Sequence, residues 1–278
     1  MRLWIAAAGV TGALVSSGAA GAAATVDIRN AALAVTVIPE ARSDVAVTVV
    51  KTHAKLPLKI TNSGQSVIID GGVNGLSLNC HSAMGWRGVS AWGVGNVRDS
   101  DLPRLVIRTP MDVTVKAGGA VFGVIGRAGN VELSNSGCGD WTVADAAGSL
   151  RLAQSGSGDL HAGAAGAADV SVSGSGDVTI TSVRGGLRAR TAGSGDVTAN
   201  SVDGPLFVRT SGSGDVIAKA GAVTTMDVAV AGSGDVRFGG VAQSLNAAIA
   251  GSGDVSASRV TGPVVKRVAG SGDVTVGR

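Results

Sequence analysis

A short glycine turn returns through the second half of the chain at an almost fixed interval, and that regularity restricts the fold more than any other feature. "SGCGD" ends at Asp140, and "GSGD" ends at Asp159, Asp177, Asp196, Asp215, Asp235, Asp254 and Asp273, with successive gaps of 19, 18, 19, 19, 20, 19 and 19 residues. A fixed period of this length is the signature of a repeat architecture, in which each unit buries its apolar face only by lying on its neighbours.

The unit "GSGDVTANSVDGPLFVRTS" shows which architecture. Val197 and Ala199 alternate, Val202 follows at a bend, a "DGP" turn intervenes, and Leu206 and Val208 alternate again. These are two short strands of period two, broken by turn residues. The next units keep the register, with Val216, Ala218, Val223, Val228 and Val230, then Val236, Phe238, Val241, Leu245, Ala247 and Ile249 as the inward set. Helices are excluded because glycine interrupts every run and the β-branched residues alternate. Stacking equivalent strands in parallel gives an all-β, single-stranded parallel β-helix, or β-solenoid. Right-handed coiling follows the general preference of parallel strand connections. At a strand spacing of about 4.8 Å the eight turns span roughly 34 Å.

Composition agrees with a narrow interior. The chain is 45% hydrophobic, mostly Ala and Val, with 44 glycines, no tyrosine, three phenylalanines and four tryptophans. Such a core is expected to lack large aromatic anchors.

Residues 1–24 read as a secretory signal peptide, with Arg2, an apolar Ala/Val/Leu stretch and an Ala22-x-Ala24 pattern ahead of Thr25. Ser16, Ser17 and several glycines dilute the stretch below what a membrane span needs. Export places the protein in the periplasm or at the surface of a bacterium, where disulfides persist, and Cys80 and Cys138 are the two cysteines available for one bridge. The net charge of +3 is small and its cations are scattered, which with export argues against a nucleic-acid partner.

The remainder, 25–278, is one solenoid domain. Residues 136–278 hold the regular repeats, and 25–135 supply irregular first coils and an N-terminal cap, a separate sandwich being the alternative. Within that region a long loop, 79–101, reads "NCHSAMGWRGVSAWGVGNVRDSD". Trp86, Arg87 and Trp92 make it a candidate partner-binding loop, since exposed Trp and Arg are common hot spots. The competing reading has both tryptophans plugging the end of the solenoid. A Cys80–Cys138 bridge would staple the loop to the first glycine turn.

The repeated "SGSGDV" turn, at this spacing and behind a signal peptide, resembles the head GIN domain family, described as putative auto-transporter adhesins. The resemblance covers roughly residues 26–277 and implies a right-handed β-helix exposed in the bacterial envelope, with an adhesive role and no catalytic residues to carry over. The sequence departs from an autotransporter in ending at "GSGDVTVGR" with no membrane barrel, so self-translocation is not expected.

The aspartates form a column in which carboxylates about 5 Å apart repel by about 1 kcal/mol in water. Three accounts of the column compete. Each Asp accepts N–H bonds from its own turn, whose glycines adopt positive φ. Calcium sits between turns at Asp159, Asp177, Asp196, Asp215, Asp235, Asp254 and Asp273. Or the column is a recognition stripe for a cationic or hydroxyl-rich partner such as a glycan. Arg190, Arg209 and Arg267 precede their turn aspartates by six residues, but Ser171, Ala229 and Ala248 stand there in other coils, so no cation ladder matches the column.

No catalytic or cofactor-binding residue stands out. His53, His81 and His161 occupy unrelated contexts, the Cys80–His81 pair lacks a second spaced pair for zinc, and no helix follows the glycine-rich "GAVFGVIGRAG". The expectation is a non-enzymatic adhesin-like or interaction module of the envelope, binding an envelope or surface glycan or protein. The alternatives are a carbohydrate-active β-helix enzyme, which would need paired carboxylates on unequal loops, and a purely structural envelope protein. The last coil shows no obvious polar cap, so end-to-end self-association is a further expectation.

Overall fold

A computed structural model describes residues 23–73, 78–83, 86–91 and 93–277. The segment 1–22, which holds nearly all of the expected signal peptide, lies outside them. The described chain contains 24 strands, one 3-10 turn at Asp99–Asp101 and no α-helix.

The repeats form the expected stacked parallel coils. Each coil places a strand on one face directly after the turn, as in Val178–Val183 and Val197–Val202, and a strand on a second face before the next turn, as in Leu187–Thr191 and Gly204–Thr210. Each strand pairs with its equivalent one coil away, Val178↔Val197↔Val216 on the first face and Leu187↔Leu206↔Met226 on the second. Inward residues stack in columns of Val, Ala, Leu and Ile that merge into one buried cluster running from Ala24 to Val274.

Three details of the core depart from expectation. Trp141 is fully buried, so the core does contain a large aromatic. It stands where later coils place Leu160 or Val178, and its ring lies over Gly123 in the neighbouring strand, where any Cβ would overlap it. Val241 is 40% exposed, while Ala242 takes the inward place, because the register shifts between Phe238 and Val241. Lys266 occupies the inward position opposite Ala247 in the last second-face strand, and its Nζ donates to the Val274 carbonyl. A charge therefore stands where the other coils put Ala, Val or Leu, a device that discourages further apolar stacking.

The first part of the chain is not threaded in simple order. β1 (Ala24–Pro39) crosses both faces; β2 (Ala46–Lys51) and β3 (Lys59–Asn62) follow, then β4 (Ser66–Asp70). A meander of β5 (Leu78–Ala83), β6 (Trp86–Ala91) and β7 (Gly95–Arg98) precedes β8 (Arg104–Thr109) and β9 (Val113–Ile125). β1 is sandwiched, pairing in parallel with β9 on one side and with β4 and β8 on the other. β4 and β8 thus make the end coil, on which β3 and β2 pair antiparallel. The antiparallel pair closes the parallel stack at this end.

The glycine turns are held by close approach rather than by left-handed backbone. Among the turn glycines only Gly270 has a clearly positive φ, at 146°. Elsewhere the glycine carbonyl of one turn accepts N–H bonds from the next, as when Ser175 and Gly176 donate to Gly156 O at 3.1 and 3.3 Å. A Cβ on Gly174 would fall 2.0 Å from Gly156 O, and one on Gly195 would fall 2.2 Å from Gly176 O. Glycine is required at both positions because the next coil's backbone fills the space of a side chain.

Gly195→Ala should therefore destabilise the protein by at least the 1–3 kcal/mol typical of overpacking. Ser194→Ala, in the same turn, should cost far less. Equilibrium urea unfolding of the two variants checks the contrast.

Candidate functional site

The aspartates form the expected column, but their bonds run between coils rather than within a turn. Asp140 Oδ1 accepts the backbone N–H of Asp159 at 3.0 Å, and Asp159 accepts that of Asp177 at 2.9 Å. The series continues through Asp196, Asp215, Asp235, Asp254 and Asp273 at 2.7–2.9 Å. In each case the carboxylate stands in for a ladder carbonyl, and the attraction to the N–H offsets repulsion between neighbouring carboxylates. The same device recurs at the opposite bend, where Asp145 accepts from Ala164 and Asp203 from Ala222.

A cation bridges two of the aspartates. Arg237, two residues past Asp235, reaches the Oδ2 atoms of both Asp215 and Asp235. Its hydrogen bond to Asp215, chiefly, holds the guanidinium even more firmly protonated than usual. Arg190, Arg209 and Arg267 lie on the second face, in one row with Ser171, Ala229 and Ala248. There Arg190 pairs with Asp169 at 2.9 Å, while Arg188 lies 5.3 Å from the Phe207 ring centre. Among the described residues no group of three His, Cys, Asp or Glu side chains is arranged to hold a metal ion.

The stretch expected as a long irregular loop folds as the antiparallel meander β5–β6–β7. It is inserted between β4 and β8, at the corner where other coils carry the glycine turn. Val89 and Val97, with Leu56 and Leu102, bury Ala32 and Ala120 in a second small core that includes Cys80 and Cys138. The disulfide is formed, with Cα atoms 5.7 Å apart, and ties the meander to the first glycine turn. Cys138, which takes the place of the turn serine, packs against this small core. The side chains of Trp86 and Arg87, and all of Trp92, lie outside the described residues. His81 Nε2 and Ser90 Oγ lie 2.8 Å apart across the hairpin, and His53 Nδ1 accepts the Lys55 N–H at 3.3 Å.

His161 is placed differently from the other two histidines. Register puts it in an outward row on the first face that reads Val106, Thr36, Val124, Thr142, His161, Thr179, Thr198. This row runs beside the aspartate column. Toward the N-terminal end the column itself is continued by Phe122, Ala34 and Arg104. There the two rows form the floor of a groove of about 630 Å³, bordered by Val50, Asp99 and Arg104. Sequence reasoning treated His161 as an isolated surface residue. Its position two residues past a turn aspartate was the signal that it belongs to the row.

The family described as "Putative auto-transporter adhesin, head GIN domain" matches residues 22–202 and again 202–278. Two solved structures from Parabacteroides distasonis are similar in fold. One, described as a putative adhesin, is 15% identical with a TM-score of 0.52, covering 92% of this chain and 94% of its own. The other, described as a putative lipid binding protein, is 15% identical with a TM-score of 0.51, covering 93% and 94%. No curated protein matches the sequence.

Two outcomes test the site's structural logic. Asp196→Asn keeps an acceptor for the Asp215 N–H and should be nearly neutral, whereas Asp196→Ala leaves that N–H unpaired and should cost about 1–3 kcal/mol in urea unfolding. Reducing Cys80–Cys138, which closes a span of 58 residues, should cost up to about 4 kcal/mol on the chain-entropy estimate. Limited proteolysis should then cut first within the meander.

Proposed function

Because the chain belongs to the head GIN domain family, we propose that it is an exported, non-enzymatic adhesive module of a bacterial envelope, binding through the first face of the solenoid. The observation that supports this most is the repetition of one surface chemistry. Seven of the column's carboxylates are fixed by a backbone N–H of the next coil, and a parallel row of threonine and other outward residues stands beside them. An array of equivalent groups at the strand spacing suits repeated weak contacts with an extended partner, where many small gains sum through effective concentration.

A catalytic site needs unlike groups converging on one bond, with environments that drive two carboxylates to different roles. Apart from Asp215 and Asp235, which share Arg237, the column offers the same backbone hydrogen bond from coil to coil. Its regularity favours display over chemistry, and the adhesive description of the family points the same way. Residues 1–24 are read as the export signal, and the final compartment as periplasm or cell surface.

The full chain, labelled and incubated with bacterial cells and isolated envelope polysaccharide, should bind without releasing reducing ends or unsaturated products. Cell fractionation should recover it, shortened at the N-terminus, outside the cytoplasm. Depolymerisation that is lost on Asp177→Asn would replace the adhesive reading with an enzymatic one.

A further inference from the structure

We propose that the groove at the N-terminal end of the first face is a binding site for a neutral saccharide chain, which lies along the solenoid axis and runs out over the threonine row. This rests on the adhesive reading and names the ligand class.

Three observations carry it. The first is the order of the floor. Successive strands present Val106, Thr36, Val124, Thr142 and His161, so apolar and hydrogen-bonding positions alternate as far as Thr142 at the strand spacing of about 4.8 Å, and His161 adds a further hydrogen-bonding position. A hexopyranose unit is of comparable length and carries both C–H faces and hydroxyl edges, so successive sugars along the floor can meet valine and hydrogen-bonding side chains in turn. Thr36, Thr142 and His161 are exposed, Val124 is 47% exposed, and among the described residues the hydroxyls of the two threonines and the His161 ring have no hydrogen-bond partner within the protein. Their hydrogen-bonding capacity is directed outward.

The second observation is charge. Among the described residues the rim carries one Lys or Arg, Arg104, which is engaged by Asp99, donating to its carbonyl at 3.1 Å with the carboxylate 3.9 Å away. Asp140 begins the carboxylate column at the groove's other border. An anionic polymer would meet this column over its whole length, whereas a neutral one loses nothing by lying beside it.

The third is shape. The groove's volume lies in the range of sites for small ligands. It is closed toward the N-terminal end by Val50 and Asp99 but continues the other way as the open row of Thr179 and Thr198. A chain can therefore be held at one end and supported along its length. Two grooves on the second face differ in kind, one lined by Ala229, Ala248 and the Arg267 side chain with no hydroxyl, the other edged by the charged Arg151, Asp169 and Arg188.

Isothermal titration of the full chain with cellohexaose, chitohexaose, maltohexaose and laminarihexaose tests the proposal, with the corresponding trisaccharides and polygalacturonate for comparison. At least one neutral hexamer should bind, its trimer should bind at least tenfold more weakly, and polygalacturonate should not compete. Thr142→Val combined with His161→Ala, both at exposed positions, should weaken the hexamer at least tenfold without changing the melting temperature, while Arg209→Ala on the other face should not. Failure of all four hexamers to bind, or binding indifferent to the floor substitutions, would overturn the groove. Cell adherence separates the two readings. Adherence unchanged in the double variant removes the groove and leaves the adhesive reading, whereas hexamer binding without adherence does the reverse.

Discussion

The backbones of successive turns lie too close for a side chain between them, and the rest of the molecule follows from that contact. Two glycines per turn let one coil's carbonyls meet the next coil's N–H groups at the corner, so the parallel ladder runs around the bend instead of stopping at the strand ends. The aspartate completes the same ladder with a side-chain oxygen. With the corner fixed, the residue after each aspartate must point inward, which sets the register of the first-face strand and aligns the buried Val and Ala columns. The outward rows inherit the same alignment, so the surface becomes an array without any surface residue having to enforce it.

Much of this could be read from the chain. The spacing of the aspartates gave the coil length, and period-two alternation around "GDV" identified most inward residues of the coils between Val197 and Ile249, missing Met226 and Ala242. What escaped was whatever depends on relations between coils. The type of a residue does not say whether Asp177 bonds to its own turn or to the next, nor whether Gly174 serves a dihedral angle or an approach distance. Trp141 left a readable trace, since it interrupts a position otherwise held by Val or Leu, and the facing Gly123 in "AVFGVI" supplies the missing volume. Val241 was misplaced because a one-residue register shift in "RFGGVA" exchanges inward for outward, and alternation alone does not locate such a shift. The groove was unreadable for a further reason: its floor draws Thr36, Val106 and His161 from strands far apart in sequence.

The meander shows how a regular array acquires a special end. Inserted at one corner, it hides the beginning of the turn column behind a small core and a disulfide, and so leaves the carboxylates exposed only beyond it. The row beside the carboxylates is mostly polar in the middle of the rod, Ile217 interrupting it, and mixed in character near the cap, where Phe122 and the valines of the row replace carboxylate and hydroxyl. A fold of this kind hosts many functions; the difference between the end and the middle of the rod is where this chain departs from a uniform scaffold.

The sandwiched position of β1 has a bearing on how the molecule assembles. A repeat coil needs only the preceding 18 to 20 residues to find its partner, so contacts in the second half are local. β1, by contrast, has both its neighbours later in the chain: Thr25 faces Ser66 on one side and Thr114 on the other. A chain emerging from its N-terminus cannot lay down this stack one coil at a time from the start. Its first strand must wait for some ninety residues before both edges are satisfied, and until then it keeps at least one open edge. The regular coils can nucleate on their own, so the last-made half of the solenoid is the part best suited to order first, with the N-terminal end closing onto it.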